Sequence, residues 1–213
     1  YPLSLLGAVP FLAEWVVVLS EMTLQNLRDR DGDSLDSDVD VEDFLQRAEI
    51  LTALGKNVLI SNYGEFYKLA QYLFSQTSYP IAIALGIPNL LNIFDESYYE
   101  NLEGGILEAF GRLFRNDMRL FVCPQIDPAS AELITIDNVP IDNHLRHLYQ
   151  HLIENDYIRA LHTIEPEHLL ISPQDVLTRI REQDASWTGM VPEQVASIIS
   201  ERALFQKPVS LSD

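Results

Sequence analysis

Apolar positions along this chain follow two rhythms, and the change from one to the other predicts its elements. The stretch from Leu3 to Leu19 is the most apolar near the start, and its spacing predicts a buried helix beginning near Pro10 and running through Trp15 and Leu19 toward Leu27. Phe44, Leu45, Ala48, Leu51 and Leu54 then recur at helical spacing and stop at Gly55. Beyond Gly55 come three short continuous apolar runs, NVLIS (57–61), IAIAL (81–85) and MRLFVC (118–123), each bounded by Gly, Pro or Asn. Amphipathic segments separate them: one at 65–76, one after Pro88, and one after Gly104-Gly105. Continuous apolar strands alternating with helices predict a parallel sheet covered on both faces. LITI (133–136) reads as a fourth, shorter strand.

From about Asn143 the pattern turns helical. NHLRHLYQHLIEND forms one helix, SPQDVLTRIREQD a second with Ser172 at its N-cap position and Pro173 in its first turn, and VPEQVASIISERALF a third. Trp187 is expected to fix the loop between the last two, and Tyr98-Tyr99 to pack at a helix end. The expected organisation is therefore N-terminal helices over 1–55, a Rossmann-like α/β core over 56–140, and a helical segment over 141–213 packed on that core. No internal repeat is visible.

Composition alters this picture in three ways. The net charge is -18, with 14 basic and 32 acidic side chains, a field that repels phosphate backbones and anionic lipid surfaces; nucleic acid and membrane are not expected partners. The apolar N-terminal stretch carries Pro10 and Glu14 and lacks a basic leader, so it reads neither as a signal peptide nor as a spanning helix. Cys123 is the single cysteine, which excludes an intrachain disulfide and favours a reducing, cytoplasmic setting. The chain begins at Tyr1 rather than Met, which suits a fragment, a processed form or one domain of a longer protein.

Candidate chemistry follows from placement. In a doubly wound sheet ligands bind outside the C-terminal strand ends. Those ends are Ser61, Asn62 and Tyr63 after the first run, Gly86 and Asn89 after the second, and Gln125 after the third. Gly64 and Gly86 permit close backbone approach, or serve simply as turn residues. Neither GxGxxG nor GxxxxGK[ST] occurs. Residues 29–43 hold eight acids and one base and read as a solvated loop between helices. Within it Asp29, Asp31, Asp33 and Asp40 stand at positions 1, 3, 5 and 12 of a calcium-loop pattern. Ser34 replaces the turn glycine, and Asp36 occupies a position that is ordinarily apolar. His144, His147 and His151 share a helix face with Glu154 one turn on, a spacing compatible with a transition metal or with surface histidines. Asp95-Glu96 and Glu108 are the remaining candidate acid–base groups; Cys123, with no base placed beside it, reads as an inert thiol.

One segment carries a family resemblance. LLISPQDVLTRIREQDASWTGMVPEQVASIISERALF (169–205) resembles the C-terminal segment of nicotinate- or nicotinamide-nucleotide adenylyltransferases, through Ile171-Ser172, Val191-Pro192, Val195, Ile198-Ile199 and Leu204-Phe205. A longer stretch, from NVLISNYGEFYKLAQYL to LRHLYQHLIEN, is similar to a bacterial family associated with the same activity. The resemblance implies a nucleotide-binding α/β protein transferring an adenylyl group from Mg-ATP to a pyridine mononucleotide, with Ser172 among its phosphate contacts. The sequence departs from that pattern at Pro173, Gln174 and Leu177, where the family has Ser, Thr and Arg, and the GxFxPxHxGH phosphate loop is absent from all 213 residues. The alternative expectation is a non-catalytic scaffold or regulatory domain that meets a protein partner or upstream domain, tuned by calcium through the acidic loop.

Overall fold

Pairing decides the architecture. A computed structural model describes residues 16–24, 37–127, 130–161 and 166–205. The chain divides into two compact units, one from 1–62 together with 171–213, the other from 63–170. The fold is mixed α/β, Rossmann-like, with parallel strands flanked by helices and a helical C-terminal segment.

In the second unit β3 (Ala82–Gly86), β4 (Arg119–Cys123) and β7 (Ile158–Ala160) form a parallel sheet in that order. Arg119 pairs with Ala82 and Cys123 with Gly86, while Leu120 pairs with Ile158 on the other side. β4 is central, which is why Leu120, Phe121 and Val122 are all buried and why its sequence is apolar without alternation. Leu120 and Val122 join one core with Leu90 and Ile93 of α3 (Ile87–Ile93), Phe110 and Leu113 of α4 (Gly105–Leu113), and Leu152 of α5 (Arg146–Glu154). Tyr67 and Ala70 of α2 (Phe66–Gln76) belong to the same core. Phe121 lies outside that cluster, because strand alternation turns it to the opposite face. Strand order here equals chain order.

The first unit holds β1 (Leu19–Thr23) and β2 (Asn57–Ser61), paired in parallel with Leu19 opposite Asn57 and Thr23 opposite Ser61. Its core joins Ile50 of α1 (Ser37–Ala53) to Val176 and Ile180 of α6 (Pro173–Arg181), Trp187 of the 3₁₀ turn at 185–190, Ile199 of α7 (Glu193–Arg202), and Leu204. Among the described residues no helix is long and apolar enough to cross a membrane.

Several expectations change. The helix expected through Leu19 is instead strand β1, and Val16–Val18 has no regular structure; residues 1–15 and 25–36 lie outside the described part. Helical spacing there was outweighed by pairing with a strand almost forty residues away, which periodicity cannot register. α1 starts at Ser37, inside the expected acidic loop. NVLIS does not share a sheet with the other two runs. Only Leu133–Ile134 of LITI is strand (β6), and it pairs antiparallel with β5, Gln125–Ile126. β7 sits inside the stretch expected to be helical.

Four helix ends share one device. After α1, Lys56 N–H donates to Leu51 O and Gly55 N–H to Thr52 O, with Gly55 at φ +69°: a complete Schellman stop. The same six-to-one bond closes α5 (Tyr157 to Leu152), α6 (Asp184 to Arg179) and α7 (Leu204 to Ile199). There the left-handed residue is Asp156, Gln183 or Ala203. A side chain in that region costs on the order of 1 kcal/mol. Gln183→Gly and Ala203→Gly are therefore expected each to raise unfolding free energy by about 0.5–1 kcal/mol, and Gly55→Ala to lower it by a similar amount, read by urea denaturation. Nothing lies within 4 Å of a Cβ at Gly55, so that loss would be conformational rather than steric.

Candidate functional site

The C-terminal strand ends of the second unit bring Gly86, Cys123 and Ala160 to one edge of the sheet through the β3–β4 and β4–β7 registers. Gly86 is also the N-cap of α3, with extended backbone (φ -91°, ψ 172°) and no side-chain cap. A Cβ built there meets only Pro88 Cδ, at 3.6 Å, an ordinary contact. Glycine is thus not demanded by the backbone, and alanine fits there without a clash. Asn89 is exposed in the first turn of α3, in that same neighbourhood. Pro124 ends β4, and Gln125 enters the β5–β6 pair. Because the strand order has no reversal, this sheet has no switch-point crevice, and the site is the open edge itself.

Ser61, Asn62 and Tyr63 straddle the boundary between the two units. Ser61 is buried at the end of β2, where its hydroxyl donates to Glu21 Oε1 at 2.6 Å. Burial pushes the Glu21 carboxyl above its ordinary value, and the Ser61 hydrogen bond opposes that. Asn62 ends the first unit and Tyr63 opens the second, where its ring lies 5.8 Å from that of Tyr72. Glu21 was not singled out from the sequence, because its segment reads there as helix.

Ser172 occupies the N-cap of α6 as expected, but its Oγ donates to Gln174 Oε1 at 3.2 Å and caps no backbone N–H. The nearby Arg179 is held by Asp175 (3.1 Å), Asp184 (3.5 Å) and the Ser186 hydroxyl (2.7 Å). Its guanidinium fastens α6 to the following 3₁₀ turn. Hydrogen bonds from Ser186, backbone and side chain, with Arg179 beside it, hold the Asp184 carboxyl below its ordinary value.

Asp29, Asp31 and Asp33 lie outside the described residues, and Asp40 falls in the first turns of α1. His144 Nε2 meets Glu96 Oε2 at 2.5 Å, and His151 Nδ1 lies 3.2 Å from Asn155 Nδ2. No group of three His, Cys, Asp or Glu side chains among the described residues is arranged to hold a metal. Burial raises the Cys123 thiol, which keeps it protonated and a poor nucleophile. Glu108 accepts from Gly104 N–H at 2.9 Å and pairs with Arg112, so it serves the start of its own helix. Asp95 likewise accepts from Ser97 N–H at 2.9 Å. Tyr99 is buried with its hydroxyl on Ile93 O at 2.7 Å. No family model, curated protein or solved structure matches this chain.

The Glu21–Ser61 pair has a definite pH consequence. A carboxyl raised in the folded state binds more protons than in the unfolded chain, so its contribution to stability is full below about pH 4.5 and declines as pH rises through the folded value. Glu21→Gln is expected to gain stability relative to the parent at pH 7 and to lose that advantage near pH 4, measured by urea unfolding at both. Ser61→Ala is expected to steepen the parent's decline with pH, since it removes the bond that favours the charged carboxylate.

Proposed function

We propose that this chain is a nucleotide-binding α/β module related to nucleotidyltransferases, holding its ligand at the edge formed by Gly86, Asn89 and the ends of β4 and β7. The observation that carries the reading is the parallel β3-β4-β7 sheet, whose β3 and β4 end opposite each other at Gly86 and Cys123, with Gly86 leading directly into α3. The likeness of 169–205 to adenylyltransferase C-termini supports the nucleotide class, with Mg-ATP and a pyridine mononucleotide as the ligands to try. The chain binds rather than turns over by itself: the family's phosphate loop is missing from its sequence, and its candidate hydroxyl and thiol, Ser61 and Cys123, are respectively tied to Glu21 and protonated.

A second reading, a partner-binding domain, is favoured by the first unit's two-stranded parallel sheet. Among the described residues Leu19 of β1 is 47% exposed and Ile60 of β2 53% exposed. Parallel strands are ordinarily covered on both faces.

Thermal unfolding with Mg-ATP, nicotinate mononucleotide, nicotinamide mononucleotide and NAD, each tested separately, distinguishes the two. A ligand at 100 times its dissociation constant stabilises by about 2.7 kcal/mol. The nucleotide reading expects that shift with at least one of them. It also expects Gly86→Ala to melt within about 1 kcal/mol of the parent while losing the ligand-induced shift, because the added methyl fits the fold but occupies the approach. Absence of any shift sinks the nucleotide reading and leaves the partner-binding one.

A further inference from the structure

The second unit carries a half-open surface pocket of about 320 Å³ whose lining includes none of the hydroxyl, thiol and glycine discussed above. Its walls are apolar: Leu91 and Phe94 from the end of α3, and Pro140 and Ile141 from the segment before α5. Its remaining lining is three carboxylates, Asp95, Glu96 and Asp142. Phe94 is fixed by edge-on contacts with Phe110 (5.0 Å) and Tyr149 (5.3 Å), so that wall is rigid before anything binds. The carboxylates are poorly neutralised. Glu96 has His144, Asp95 accepts a backbone N–H, and among the described residues Asp142 makes no ion pair.

We propose that this cavity docks one basic side chain of a protein partner. Its alkyl stem would lie against Leu91, Phe94 and Ile141, and its cationic head would meet Asp95, Glu96 and Asp142. Two arguments select that occupant. Three carboxylates gathered at one pocket repel phosphate there and attract a cation. An aromatic wall beside acidic groups suits a cation that carries apolar surface, which a bare metal ion lacks. A peptide is favoured over a free small cation because all three carboxylate residues are exposed, so a lone ligand would gain little burial, whereas flanking residues can add contacts at the rim. This inference stands apart from the nucleotide reading.

The test is an amide NMR titration of the whole chain at low salt with a capped leucine–arginine–leucine peptide. The expected result is saturable shifts at the amides of 91–96 and 141–142. Binding should be lost when citrulline, neutral and nearly isosteric, replaces arginine, and weakened by about tenfold in Asp95→Asn/Asp142→Asn. Asparagine retains the turn-capping acceptor at position 95, so the variant's fold is preserved, which its unperturbed spectrum would confirm. Glu201→Gln removes a charge from the other unit and should leave affinity unchanged. The proposal is overturned by equal binding of the citrulline peptide, by equal weakening in Glu201→Gln, or by non-saturating shifts spread over the surface. Agmatine binding as tightly as the peptide would overturn the protein partner.

Discussion

A central strand must satisfy its backbone on both edges and its side chains on both faces, and β4 of the second unit is where that constraint falls. Its N–H and C=O groups pair with β3 on one side and β7 on the other, both parallel and in fixed register. Its buried Leu120 and Val122 share one core with α3, α4 and α5, so those helices pack where that face of β4 lies. The candidate ligand edge and the acid-lined cavity both follow from this. One is where β3 and β4 end, and the other is where the helix leaving β3 terminates at Phe94.

Local signals in the sequence identified elements better than partners. NVLIS, IAIAL and MRLFVC are strands, and the helices after Pro88, Gly104 and Ser172 begin where prolines, glycines and caps place them. Which strands share a sheet was not legible, since pairing depends on contacts far apart in sequence that no window contains. β1 was read as helix because Val16 to Leu27 also satisfies a helical stripe, and β7 was overlooked because three residues are too few to show a period.

The candidate site was legible to a similar depth. Gly86 and Asn89 lie at a strand end because the rule connecting parallel strands to ligand edges depends only on strand direction. Ser61 satisfied the same rule, yet its hydroxyl is committed to Glu21, a residue on a strand that the sequence reading did not contain. Asp95 and Glu96 stood out as an acidic pair, but their cavity is completed by Ile141 and Asp142, some forty-five positions later. No residue type at 141–142 announces that approach.

The second unit is one uninterrupted stretch, whereas the first is assembled from two pieces on either side of it. Ile50 shares its core with Ile180, Ile199 and Leu204, and Phe205 N–H donates to Gln46 across 159 positions. On a ribosome, everything the second unit needs has been made by residue 170, while α1 waits for α7 to be synthesised. Until then its apolar face has no cover from its own core. Folding of the inserted stretch shortens the loop that must be closed, so the later unit's entropy cost falls once the earlier one has formed.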